Sequence, residues 1–188
     1  MNKKKNILTE AKRLFGEYGY LGFTLKQLAV ACNMTAPAVY YFYSSKADLF
    51  RDCLISEMSI RNEYLSQLAE QPLSISEFTR ALISYSLEVC GASHLRTGQA
   101  MEEIIHLEPA IQQDLRTAWS QLMIAPVEKF LAHTLPAESP SLSHCLLATF
   151  FINIATFAAA RVTQFDRAEL IALAIAAAQG LEQAALTS

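Results

Sequence analysis

Glycine and proline are scarce in this 188-residue chain, six of each, and tryptophan occurs once. No glycine-rich phosphate loop is present, and neither G-x-S-x-G nor H-E-x-x-H occurs, so the familiar signatures of nucleotide, acyl-transfer and zinc-hydrolase chemistry are missing. The cysteines stand far apart at 32, 53, 90 and 145 with no C-x-x-C pair, which argues against a zinc or dithiol framework. No secretory apolar stretch follows the start, so reduced thiols in a cytoplasm are expected. Glu102, Glu103 and His106 share helical spacing, yet no second His or Cys completes a metal set. No enzyme, cofactor or metal is therefore expected. Alternation with period two is also lacking, as are internal repeats and low-complexity segments. Apolar residues recur instead at three and four, which predicts an all-α fold.

Charge is thin as well, at 18% of residues with a net −3, which is against a uniformly basic nucleic-acid binder. The distribution is uneven. Residues 1–52 hold eight Lys/Arg against four Asp/Glu, whereas residues 53–188 hold seven against fourteen. From Ser139 to Ala160 charge disappears altogether, over a length that would span a bilayer. His144, Thr149, Asn153 and Thr156 interrupt that run, and its start is rich in Pro and Ser. A helix covered by a partner is expected there, and no membrane.

Ile7, Leu8, Ala11, Leu14 and Phe15 form the stripe of a first helix that closes near Gly19, suited to a left-handed C′ position. Thr24 and Gln27 make a capping box for a short second helix that buries Leu25, Leu28, Ala29 and Cys32. Asn33 follows where a tight turn needs positive φ. Thr35 caps a third helix with Pro37 in its first turn, and Ser45 with Asp48 caps a fourth, whose stripe Phe50, Leu54, Met58, Arg61, Leu65, Leu68 runs to about Gln71. Beyond Pro72 the periodicity predicts a Ser74-capped helix over 75–90 and a connection from Gly91 to Gly98. A shorter helix to about Leu107 follows, then a long one from Pro109 to about His133 kinked near Ala125 by Pro126. Two last helices are expected over about 142–162 and 167–184.

The second and third helices with their turn have the form of a helix-turn-helix, able to enter a major groove. Val39 and Tyr43 share the inward face of the third helix by i, i+4 spacing, leaving Ala36, Pro37, Tyr40 and Tyr41 outward. Tyrosine hydroxyls can donate to phosphates, and alanine, proline and ring edges can contact thymine methyls.

The stretches ILTEAKRLFGEYGYLGFTLKQLA and TAPAVYYFYSSKADLF, from about Ile7 to Phe50, together resemble the tetracycline-repressor (TetR-like) family of one-component transcriptional regulators. The resemblance implies a three-helix DNA-binding domain over 1–46, an effector-binding and dimerisation domain over 47–188, and a homodimer that represses until a small molecule releases it from its operator. It also implies phosphate contacts from Thr24, Thr35, Tyr40 and Lys46, and base contacts from Ala36, Pro37 and Tyr41. Two positions depart from the family pattern: Asn33 stands where glycine is common, and Phe42 where histidine or tyrosine is common. The exposed third helix lacks Arg, Asn and Gln for bidentate base contacts, so specificity falls to Gln27, a Lys3–Lys5 arm or DNA shape.

Two half-sites one helical turn apart require a rigid dimer. Phe150, Phe151, Ile154, Phe157 and Ala158, with Ala174, Ala177 and Ala178 on the last helix, are expected to form a four-helix dimer interface. Polar groups on otherwise apolar helices mark an effector pocket: Tyr85, Cys90, His94, Met101, His106, Trp119, Met123, Asn153 and Thr156. Asn153 is foremost, as an amide expected to be buried. A ligand that tilts the fourth helix would change the half-site separation. The alternative is a DNA-binding dimer without a small ligand, controlled by a protein partner.

Overall fold

The computed structural model describes residues 3–92, 95, 97–135, 147–153, 155 and 166–186. The fold is all-α, with no strand among the described residues. Helices run in the order α1 (Lys3–Tyr18), α2 (Leu25–Ala31), α3 (Ala36–Phe42), α4 (Lys46–Ala69) and α5 (Ile75–Ala92). There follow α6 (Thr97–Glu102) with a 3₁₀ turn (Glu103–His106), α7 (Pro109–Trp119), a π turn (Ser120–Ile124), α8 (Ala125–Thr134), helical residues 147–153, and α9 (Arg167–Leu186). Among the described residues no helix is long and apolar enough to cross a membrane.

The chain divides into two compact units: Met1–Met58 with Ser93–Ala118, and Ser59–Ala92 with Trp119–Ser188. The first therefore includes residues well beyond position 46, and α4 contributes to both.

In the first unit an aromatic cluster joins α1, the segment before α2 and α4. Phe15 packs at 4.7 Å, centroid to centroid, on both Phe23 and Phe50. Ile7, Leu28, Leu49 and Leu54 are wholly buried beside it, and each such side chain contributes about 1.5–3 kcal/mol by leaving water. Lys12 of α1 meets Glu57 of α4 at 2.8 Å and also donates to the Ser56 hydroxyl, an ion pair largely removed from solvent.

In the second unit, Phe78 of α5 stacks on Phe130 of α8 at 3.9 Å, and α9 packs along α5. The capping box of α5 is closed: Glu77 N–H donates to the Ser74 hydroxyl while Ser74 N–H donates to the Glu77 carboxylate at 2.8 Å. The single helix predicted from Pro109 to His133 is divided. A proline ring collides with the carbonyl four residues before it, and the chain widens into a π turn directly ahead of Pro126.

Candidate nucleic-acid interface

Local chemistry sets the helix-turn-helix. Thr24 caps α2 in a complete box, with Gln27 N–H donating to its hydroxyl and Thr24 N–H donating to Gln27 Oε1 at 2.7 Å. The side-chain carbonyl of Gln27 is thus occupied within the chain. At the other end of α2, Asn33 has φ 54°, Met34 N–H reaches the Ala29 carbonyl and Asn33 N–H the Val30 carbonyl. That pair of bonds is a Schellman ending with Asn33 in the left-handed position, where asparagine substitutes for glycine at least cost.

Thr35 occupies the N-cap of α3 but its hydroxyl makes no cap bond, and Pro37 stands in the first turn. The hydroxyl projects from an exposed residue. Val39 and Tyr43 face inward, as their spacing predicts. Pro37 is exposed and Ala36 half-buried, while Tyr40 and Tyr41 are 49% and 84% exposed. Phe42 is half-buried and meets Tyr41 edge to face at 5.2 Å. The turn and the helix together leave two tyrosines and one threonine hydroxyl on a single short rod facing solvent.

Lys3, Lys4 and Lys5 are not an extended arm. They form the first turn of α1, exposed, with the Lys4 ammonium 5.5 Å from the centre of the Tyr43 ring. Cations at a helix N-terminus oppose the macrodipole. The sequence accepts that cost, and the result is a concentrated positive end beside the C-terminal end of α3.

Lys46 faces inward, contrary to the outward ammonium that a phosphate contact requires. It donates to the Phe23 carbonyl and lies over the rings of Phe23, Tyr20 and Phe15 at 4.3, 5.1 and 6.0 Å. Burial among these rings lowers its pKa, with the Glu103 carboxylate acting in the opposite sense. Glu103 itself is committed to the fold: Oε2 accepts Tyr20 N–H at 2.8 Å. Its other oxygen fills the space over Gly19, where a Cβ would come within 2.6 Å. No group of His, Cys, Asp or Glu able to hold a metal exists among the described residues.

The residues expected at an effector pocket fall in both units. Tyr85, half-buried, stacks on Tyr64 at 3.7 Å; Met123 is buried in the π turn and Trp119, half-buried, precedes it, all in the second unit. Met101 belongs to the first unit. Asn153 is exposed, so it is not the buried amide expected from FFINIATF. His94 and Thr156 lie outside the described residues, and the Cys90 side chain is likewise not described.

Of the expected dimer residues, Phe150 is exposed and Ala177 half-buried, but Phe151 and Ala174 are 2% and 3% exposed within the single chain. Those two pack into the core of their own chain and are not available to an interface. Ile154, Phe157 and Ala158 lie outside the described residues, as does the side chain of Ala178. Leu173, 71% exposed on α9, is an apolar surface position that the alanine-rich pattern obscured.

Residues 7–53, the segment that builds this helix-turn-helix, match the family described as bacterial regulatory proteins, tetR family. That segment is TetR-like. The chain is 28% identical over 107 residues to the uncharacterized HTH-type transcriptional regulator YezE of Bacillus subtilis (strain 168), an alignment covering 57% of this chain and 53% of YezE. Over 144 residues it is 28% identical to the HTH-type transcriptional regulator AcrR of Shigella flexneri, covering 72% of this chain and 65% of AcrR. The chain thus spans between half and two thirds of the length of these relatives. Its fold is similar to that of AibR, solved in complex with isovaleryl coenzyme A and operator DNA, with a TM-score of 0.72 at 16% identity over 93% of this chain and 96% of AibR.

Proposed function

We propose that this chain is a cytoplasmic transcription factor that binds operator DNA as a homodimer, α3 lying in the major groove, and acts as a repressor released by a small-molecule effector. The observation that carries the reading is the exposed Tyr40–Tyr41 face of α3, held by the Asn33 turn beside the Lys3–Lys5 end of α1. Thr35 and Tyr40 supply hydroxyls to phosphates, Thr24 joins them only by turning its hydroxyl away from Gln27 Oε1, and Ala36, Pro37 and Tyr41 offer apolar contact to base edges. Lys46 joins the phosphate set only by leaving its ring cage.

Residues 1–46 act as the DNA-binding portion and 47–188 carry effector binding and dimerisation. Exposed Phe150 and Leu173 support a second copy of the chain as partner. A fold neighbour seen with both an acyl-CoA and operator DNA supports the pairing of a small ligand with DNA. Tyr85, Trp119 and Met123 remain the side chains proposed for that ligand. Effector release requires a differential affinity between two states, typically about 1–3 kcal/mol.

Selection from a randomised duplex library tests this directly. Enriched sequences should contain two related half-sites centred about one helical turn apart, and log affinity should fall linearly with log salt between about 50 and 200 mM. Failure to enrich any duplex at low salt would overturn the reading.

A further inference from the structure

Pro126 is buried in the first turn of α8. A regular helix through this point needs residue 126 to donate to the Leu122 carbonyl, and proline has no N–H. Two adjustments follow. The backbone widens so that Ala125 N–H reaches back to the Ser120 carbonyl, and the Leu122 carbonyl accepts a hydrogen bond from Asn62 Nδ2 of α4 at 2.9 Å. Only the NH₂ end of a carboxamide can donate to a carbonyl, so chemistry fixes which way Asn62 faces.

A carbonyl freed by proline at a helix surface is ordinarily satisfied by water. Here a part-buried side chain from another helix takes it, and that ties one point along α4 to one point of the widened turn. The tie sits next to the residues proposed for the effector: Met123 lies in the π turn and Trp119 directly before it. Single π turns concentrate at functional positions in helices. α4 itself continues without a break from Asn62 back to Lys46, the residue that follows the helix-turn-helix.

We propose that Asn62 is a positioning residue, whose bond to the Leu122 carbonyl sets the axial register of α4 against the proline-widened turn, so that a change at residues 119–124 reaches the Lys46 end of the same helix. This rests on the proposed function, because its output is DNA affinity. Pro126 and Asn62 act as a pair: the proline frees the carbonyl that the asparagine reads.

The test uses the full chain and the duplex that the wild-type protein enriches. Asn62→Ala removes the donor, and Pro126→Ala restores a backbone N–H that lets the Leu122 carbonyl be satisfied within its own helix. Each single variant should lower affinity for the duplex by about fivefold or more. Their stabilities should diverge, Asn62→Ala melting lower than wild type and Pro126→Ala not. The double variant should bind within about twofold of Pro126→Ala alone, since the tie is already lost. Should Asn62→Ala fail to fold, Asn62→Asp, similar in shape and unable to donate once ionised, takes its place. Affinities of both singles within about twofold of wild type, with only melting temperatures moved, would overturn the proposal and leave Asn62 a structural residue. A wild-type chain that enriches no duplex would instead defeat the proposed function, and this inference with it.

Discussion

The ammonium of Lys46 lies 4.3 Å from the centre of the Phe23 ring and donates to the carbonyl of the same residue. One side chain therefore joins the start of α4 to the segment between α1 and α2. A desolvated cation over aromatic faces is worth about 2 kcal/mol, and about 0.5–1 kcal/mol when exposed. The half-buried Lys46 falls between these limits. Lys46→Ala is expected to lower the unfolding free energy by about 1–2 kcal/mol in the absence of DNA. Chemical denaturation reads this, and an unchanged midpoint at unchanged slope would show that the cage contributes nothing.

Gly19 and Glu103 are fitted to each other. Gly19 has φ 72°, and a Cβ there would come within 2.6 Å of Glu103 Oε1. Gly19→Ala is expected to destabilise by about 1–2 kcal/mol from the left-handed backbone alone, with a further loss from displacing the carboxylate that accepts Tyr20 N–H. In a Glu103→Ala background the steric part should vanish, so the cost of Gly19→Ala should be smaller there. Equal costs in both backgrounds would mean that Glu103 simply moves aside.

Tyr43 presents the opposite case, a buried hydroxyl with no hydrogen-bond partner among the described residues. Burial, with the Asp52 charge secondary, pushes its pKa up to about 12. An orphaned buried polar group costs about 1–3 kcal/mol. Tyr43→Phe should consequently leave stability unchanged or raise it by about 1 kcal/mol. A loss of similar size in thermal or denaturant unfolding would reveal a partner for the hydroxyl.

Asp48 provides the pH-dependent contribution. Hydroxyl donation by Ser44 and then Ser45, at 2.6 and 2.7 Å, holds its carboxyl below the usual range. A folded pKa below the unfolded value near 3.9 gives stability that is present above about pH 4 and lost as pH falls through the folded value. Asp48→Asn should therefore be less stable than wild type at neutral pH and approach it in acid. Parallel stability curves from pH 7 down to 2.5, roughly the titration range of carboxylates, would contradict this.

What the sequence disclosed was chemistry between near neighbours. The Thr24–Gln27 box, the Ser74 cap, the left-handed Asn33 and the inward pair Val39 and Tyr43 each depend on residues within four or five positions, and the structure has all of them. The direction of Lys46 was not legible, because the rings that draw it inward come from α1 and the segment before α2. Pro126 announced a disturbed helix, but the partner of the Leu122 carbonyl, Asn62, is distant in the chain and was not legible. Alanine-rich α9 has little periodic contrast, so the interior place of Ala174 and the exposure of Leu173 could not be separated by pattern. Asn153 lay in an apolar run yet is exposed, since a short run of hydrophobic residues does not say which face of its helix is covered.

The DNA-facing role of α3 is tested most directly by Tyr41→Ala, measured as affinity for the enriched duplex and for a scrambled duplex across a salt series. Tyr41 is 84% exposed, so truncation should leave stability within about 0.5 kcal/mol. A base-facing ring predicts a loss of about tenfold on the enriched duplex, little change on the scrambled one, and the same salt slope for variant and wild type. Equal affinity of variant and wild type for the enriched duplex would contradict the placement of this helix face against the bases.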